Sequence, residues 1–224
     1  MTIIMTRKIR RSSLPWFCLL LVAIVLLTGA PATAAERIDA LPDFKYPPSG
    51  RTRFVYAINK VPQALGTDEF IQGEGFSHDH QVVVDLRDGS TIEAVTINDT
   101  TFIRRNAERR WKTMKGYLPF PVAGGFPELP MENASYYRVG DVAVDGVATM
   151  HYQVQIDPAG LSPGTLAANV NFFIGKGDNY IYKFQVTELR NDPQMGEVLQ
   201  ESVAVWSAHD QPIVVGPPPP ELVD

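Results

Sequence analysis

His78 and His80 are the residues with the clearest potential for metal chemistry. On a β-strand, side chains two residues apart point the same way, so both imidazoles could reach one zinc or copper ion. The possible third ligands are Asp85, His151 and His209. The alternative is a polar hairpin turn at residues 77–80, and we favour it because a metal site requires enough ligands as well as the right types. We therefore predict no metal and no other cofactor.

Patterns for other catalytic chemistry are weak. The serines lack the flanking glycines of a nucleophile elbow, and Gly175 and Gly177 precede no helix pattern that could direct amide groups at a phosphate. Asp and Glu are numerous, but the sequence singles out no pair for glycoside hydrolysis. We expect that the chain is not an enzyme. A weaker alternative is a secreted metal-dependent enzyme that uses His78 and His80.

Four arginines bracket a predicted turn before Trp111: Arg104, Arg105, Arg109 and Arg110. They could contact an anionic headgroup near the mouth of a binding site. The favoured interpretation is a solvated basic edge, because most such charges lie on the surface.

Aromatic and apolar residues alternate with polar ones along several segments. They could fill a core, as most aromatic residues do, or line a cavity for an apolar ligand. We predict a cavity lined by Phe54, Tyr56, Phe102, Trp111, Phe120, Phe126, Tyr152, Val154, Tyr180, Tyr182 and Phe184.

Period-two alternation predicts the elements that would position these residues. We predict eleven strands, at residues 53–58, 70–77, 81–86, 91–97, 101–105, 109–114, 136–144, 147–157, 170–174, 179–187 and 197–207. Hairpin signals separate several of them, such as Asp88-Gly89, Asn98-Asp99 and Asp145-Gly146. Helix signals are poor, with one or two turns expected in residues 158–168. Such a sequence predicts a mainly β fold, a curved antiparallel sheet with one apolar face.

An apolar sheet face requires a cover. Residues 116–133 are the candidate, because this long loop contains four prolines, three glycines and several apolar side chains. It could be a movable flap over a hydrophobic opening or a fixed plug.

The N-terminus predicts export. Arg7, Lys8, Arg10 and Arg11 precede an apolar run at residues 14–28, and Ala32-Thr33-Ala34 has the small-x-small pattern of a signal peptidase site. The run is shorter than the roughly 20 residues of a spanning helix. We predict a signal peptide at 1–35, with an uncleaved anchor as the alternative, and an extracytoplasmic location.

Charge and cysteine content limit the function classes. Cleavage would remove four of the 20 basic residues and leave 16 against 25 acidic ones, a net charge of −9. Such a surface is unsuited to nucleic acid. The only cysteine, Cys18, lies in the signal segment, so we expect neither a disulfide nor a lipid anchor.

Several motifs resemble the LolA-like family, including LppX/LprG-type lipoproteins. They are residues 145–152 (DGVATMHY), 172–183 (FFIGKGDNYIYK), the order of residues 99–105 before Trp111, and Trp206-Ser207 before the proline-rich exit. The resemblance covers most of residues 51–218. It implies a half-open antiparallel barrel that carries or accepts acyl chains of lipids or lipoproteins without catalysis. The family's initial helix is not expected here, because residues 36–50 contain three prolines.

We therefore predict a proline-rich segment at 36–50, one LolA-like β domain at 51–215 and a proline-rich tail at 216–224. The expected function is a monomeric extracytoplasmic carrier of a lipid or acyl chain. A membrane or a lipoprotein donor or acceptor is the further expected partner. The alternative is an interaction module of the cell envelope whose sheet is filled by its own side chains.

Overall fold

A computed structural model describes residues 35–116 and 133–224. Its twelve strands form one antiparallel sheet within these ranges. The first seven are β1 (Glu36–Ile38), β2 (Ser49–Ile58), β3 (Val61–Gly73), β4 (Phe76–Asp85), β5 (Thr91–Ile97), β6 (Thr100–Arg105) and β7 (Lys112–Lys115). The others are β8 (Ala134–Val144), β9 (Val147–Ile156), β10 (Thr165–Gly175), β11 (Ile181–Asp192) and β12 (Gly196–Ser207).

The sheet consists of two meanders that meet at one strand pair. The order is β1-β8-β9-β10-β11-β12-β2-β3-β4-β5-β6-β7, so β12 pairs with β2 and joins the second meander to the first. The terminal strands β1 and β7 do not pair with each other, and the sheet is therefore open. This confirms the predicted antiparallel half-barrel architecture.

Ten of the eleven predicted strands each overlap an observed strand, but the number of strands and some turns were wrong. The strand predicted at residues 70–77 spans the turn between β3 and β4, and residues 61–69 of β3 were not predicted as strand. Glu36–Ile38 adds a twelfth strand at the edge of β8. Residues 77–80 do not form a turn. They lie within β4, because the chain already reverses at residues 74–75, where Gly75 has a φ of 77°. A glycine there avoids the steric cost of a positive φ.

Short 3₁₀ turns lie at Pro158–Gly160 and Pro220–Leu222. The first lies in the segment that we expected to contain one or two helical turns. The chain returns to strand at Thr165, because two prolines and two glycines limit helix growth. No helix in the described part is long and apolar enough to cross a membrane.

Residues 41–48 form an extended segment that we call the strap. Its main chain pairs with the start of β11, since the Lys45 N–H donates to the Asn179 carbonyl oxygen at 2.8 Å. At the C-terminal end of the strap, the Pro48 carbonyl oxygen accepts from the Gln72 N–H at 2.7 Å. The strap thus lies across the strands from β11 to β3. We call the face that it covers the strap-side face.

Candidate functional site

The strap-side face carries the larger hydrophobic cluster. Its buried residues are Phe54, Val83, Val154, Ile156, Ala168, Val170, Phe172, Ile174, Ile181, Phe184, Val186, Ala204 and Trp206. They come from strands β2, β4 and β9–β12, so the apolar surface runs across the join between the two meanders. Burial of this many apolar side chains is the main stabilising contribution that the described residues offer.

The strap contributes two side chains to this cluster. Leu41 and Phe44 pack against it, and the Phe44 ring lies 5.5 Å from the Phe172 ring, centroid to centroid. Phe172 in turn meets Phe184 edge-to-face at 5.2 Å. Both strap residues remain partly exposed. An extended segment therefore occupies the position where the family resemblance implies a helix.

The same face becomes polar on strands β3–β6. Residues directly opposite each other in a sheet share a face, and the register places Thr52, Asp68 and Gln81 in one row, with Asp79, Thr96 and Thr101 in the next. All six are buried. We call these six residues the polar patch. It adjoins the apolar cluster, since Gly66 and Val83 continue the row of Phe54.

Asp68 is the most unusual member of the polar patch. It is 4% exposed, and its Oδ1 has no hydrogen-bond partner. Burial raises its pKa well above the usual value, and the nearby charges of Asp79 and Glu69 raise it further. Burial of an acceptor without a donor costs free energy. Such a group is therefore retained at a cost to stability.

The outer end of the polar patch contacts Gly116, the last residue described before residues 117–132. The Thr101 hydroxyl lies 3.1 Å from that of Thr96 and donates to the Gly116 carbonyl oxygen at 2.6 Å. At the other end of the loop, the Asn133 carbonyl oxygen accepts from the Asp157 N–H at 2.8 Å. Residues 117–132 consequently connect β7 at one end of the sheet with β8 near the other.

The eleven predicted cavity residues are divided among several places. Phe54, Val154 and Phe184 belong to the strap-side cluster, and Tyr152 packs against it. Tyr56 shares that face by register and is half-buried, outside the cluster. Phe120 and Phe126 lie outside the described residues.

Phe102 and Trp111 belong to a second cluster with Val95, Ile213 and Val215. Val95 and Phe102 pair with each other directly beside the Thr96–Thr101 pair, so alternation turns them to the opposite face of the sheet. They thus lie on the other side of the sheet from Phe54 and Phe184. The C-terminal tail covers them.

Tyr180 and Tyr182 contact His209 at ring-centroid distances of 5.4 and 4.3 Å. The predicted alternation of Tyr180, Tyr182 and Phe184 is interrupted by a bulge, because Ile174 pairs with Ile181 while Phe173 pairs with Lys183. Ile181, not Tyr182, enters the apolar cluster. Burial and a hydrogen bond to Asp178 raise the pKa of Tyr182 to about 12.

The two histidines of the possible metal site do lie on one face of β4. His80 Nε2 is 2.9 Å from Glu93 Oε1, and the His78 ring contacts the Phe76 ring at 5.7 Å. Among residues 35–116 and 133–224, no group of three or more potential ligands could hold a metal ion. The structure therefore adds no support for a metal-dependent activity.

The arginines near Trp111 are used within the chain. The Arg104 guanidinium donates to Glu93 at 2.6 Å and lies 4.5 Å above the Trp111 ring. Arg110 forms an ion pair with Asp224. Both cations thus attach the outer strands to their neighbours.

Comparisons with known proteins give only structural likenesses. No protein-family model matches the sequence, and no curated protein matches it. A DUF1329 family protein from Desulfovibrio piger aligns over 75% of this chain and 88% of its own, with 13% identity and a TM-score of 0.31. A LolA superfamily protein from Nitrosomonas europaea aligns over 74% and 86%, with 8% identity and a TM-score of 0.29.

The second of these structures belongs to the superfamily that the sequence motifs resemble. At such low TM-scores and identities, neither likeness carries an argument about function. The function of this chain must therefore be derived from its own residues.

Proposed function

We propose that this chain is an extracytoplasmic, non-catalytic carrier of an amphiphile and binds its acyl chain on the apolar part of the strap-side face. The observation that carries the proposal is the way this face is covered. Thirteen buried apolar side chains span both meanders, yet the described cover outside the sheet consists of Leu41 and Phe44 of the extended strap and Leu161, which are all partly exposed. Export is proposed from the N-terminal sequence.

An acyl chain suits such a surface for energetic reasons. Transfer of each methylene group from water contributes about 0.8 kcal/mol, so a long chain can bind without specific hydrogen bonds. The rings of Phe44, Phe172 and Phe184 form a continuous stack of edge and tilted contacts. We propose that the hydrocarbon binds between the strap and the rings of Phe172 and Phe184.

The strap has the role of a movable cover in the proposal. The strap is attached by main-chain hydrogen bonds at Lys45 and Pro48, while Leu41 and Phe44 contact the face through their side chains. Residues 41–44, which precede both attachments, would move aside. Residues 117–132, which the sequence predicts as a flap or a plug, lie outside the described residues.

The test is binding of a fluorescent fatty acid to the mature protein, together with mass spectrometry of lipid extracted after purification from the native compartment. Phe44→Asp places a charge against the proposed acyl chain and should weaken binding by about tenfold or more. Val214→Asp is the matched control, because Val214 is 94% exposed in the tail. If no lipid is extracted and wild-type protein binds no fatty acid, the proposal is wrong.

An envelope interaction module is the second candidate. The observation in its favour is complete packing at several points of the same face: Val154, Val170, Ile181 and Ala204 are all 0% exposed. A self-filled sheet would have a thermal stability that does not depend on amphiphiles.

A further inference from the structure

The strap-side face is divided into an apolar part and an acidic part. The apolar cluster occupies β9–β12 and β2 together with Val83 of β4, and the polar patch occupies β3–β6 together with Thr52. Phe54 and Phe70 lie at the boundary, where Phe70 pairs directly with Asp79. A ligand bound along this face would therefore contact apolar side chains at one end and the carboxyl groups of the polar patch at the other.

Asp68 lacks the hydrogen-bond donor that its burial requires. Its Oδ1 is without a partner although the residue is 4% exposed. The neighbouring charges that raise its pKa are those of Asp79 and Glu69, which are both acidic. A donor from a ligand would remove the cost of this unsatisfied acceptor.

The charges that act on Asp68 are both acidic, and the described basic residues closest to it along the sheet do not face it or are distant. Arg51 pairs with Glu69 at 2.6 Å and lies on the opposite face, one position from Thr52. Arg105 and Lys112 share the face of Asp68 by register but are three and four strands away, about 14 Å or more across the sheet at the usual strand spacing. Neither is within the distance of a hydrogen bond or an ion pair from Asp68.

We infer that the ligand is an amphiphile with a cationic ammonium headgroup, and that this headgroup binds at the polar patch beside Asp68. The inference rests on the proposed function, because the acyl chain would occupy the adjoining apolar cluster. An ammonium group brings three N–H donors and a positive charge to a site that has acidic and neutral oxygens. An anionic headgroup would instead be buried against two carboxyl groups.

Binding of a cation at this site should be coupled to the release of protons. The pKa of Asp68 is raised in the free protein, so part of the population is protonated above the usual pKa range. An adjacent ammonium group favours the ionised carboxylate and lowers that pKa again. The protein should therefore release protons when the ammonium ligand binds.

The experiment compares two amphiphiles of equal chain length, dodecylammonium and dodecanoate, by calorimetry below their micelle concentrations. We expect wild-type protein to bind dodecylammonium at least about tenfold more tightly. Repetition in two buffers of different ionisation enthalpy should reveal proton release with dodecylammonium and none with dodecanoate. Asp68→Asn should reduce the preference to about threefold or less.

Glu69→Gln is the matched control, since it removes one negative charge at the next residue but on the opposite face, and should retain the preference. If Asp68→Asn does not fold, the wild-type preference and its proton release decide the question alone. Equal binding of both amphiphiles without proton release would overturn the headgroup assignment and leave the carrier proposal intact. Binding of neither would refute the carrier proposal itself.

Discussion

At the scale of single residues, Gly66 is required by its neighbour rather than by its own backbone. It pairs with Phe54, and a Cβ at this position would overlap the buried Phe54 ring. The absence of a side chain on β3 thus allows an aromatic ring from β2 to lie flat on the sheet. The apolar cluster begins at this contact.

Gly66→Ala should destabilise the protein by about 1–3 kcal/mol, because the Phe54 ring must leave its position in a packed core. The measurement is the urea midpoint followed by circular dichroism. Gly177→Ala is the control, since a Cβ there meets nothing within 4 Å. Equal midpoints for the two variants would contradict the packing assignment.

Asp68 makes stability depend on pH in the direction opposite to a salt-bridged acid. Its folded-state pKa lies above the usual 3.8, so the folded state binds more protons than the unfolded state between these two values. The contribution of Asp68 is fully present below the usual pKa and is lost as the pH rises through the folded-state pKa.

Asp68→Asn should therefore raise the urea midpoint at about pH 8 relative to wild type, and the difference should shrink toward about pH 4. Denaturation series at several pH values measure this difference. The variant removes one titrating group, so the contributions of the other carboxyl groups to the pH dependence cancel when the two proteins are compared. A lower urea midpoint for the variant than for wild type at about pH 8 would mean that Asp68 is stabilised as an anion.

At the scale of elements, the C-terminal tail is part of the folded sheet structure. The Trp111 N–H donates to the Leu222 carbonyl oxygen at 2.7 Å, and the Asp224 N–H donates to the Trp111 carbonyl oxygen at 2.8 Å. Leu222 and Val223 also pack against the cluster that contains Trp111. The tail thereby covers the sheet end near β7, where unpaired main-chain groups would invite association.

Removal of residues 217–224 should expose Trp111, shift its fluorescence to longer wavelength and cost about 2–3 kcal/mol of stability. Acrylamide quenching and urea denaturation measure the two effects. Trp111→Phe identifies the tryptophan that responds, because Trp206 lies on the strap-side face. Glu221→Gln, an exposed change within the same tail, should have neither effect. An unchanged spectrum in the truncated protein would refute the proposed cover.

At the scale of the whole molecule, an open sheet leaves one surface to be completed by something other than a second sheet. The described chain supplies the strap on one face and the tail on the other. The carrier proposal and the self-filled alternative differ in whether a ligand belongs to the completed fold.

If the chain is a carrier, dodecylammonium at about 100 times its dissociation constant should add about 2.7 kcal/mol to the free energy of unfolding. For a domain of this size that corresponds to a rise in melting temperature of about 5–10 °C. Differential scanning calorimetry with increasing ligand measures it, with an ammonium salt of short chain as the control. A melting temperature independent of the ligand would favour the self-filled module.

The strands and several hairpins could be predicted from sequence because they depend on local patterns. Asp145-Gly146, with φ values of 47° and 83°, forms the turn between β8 and β9 that a two-residue Asp-Gly signal indicates. The turn at residues 77–80 was misplaced because polar residues also occur in strands when a polar patch is buried. Asp68 and Asp79 were missed for the same reason, since no local pattern distinguishes a buried acid from an exposed one.

Local alternation and turn residues by themselves determined an antiparallel, nearly helix-free sheet, because both act over a few neighbouring residues. Tertiary structure alone decided which face each strand presents. The bulge at Ile181 exchanged Tyr182 for Ile181 in the core, and the pairing of β12 with β2 joined the two meanders. The separation of Phe102 and Trp111 from Phe54 is likewise a property of register, because a shift of one residue turns a side chain to the other face.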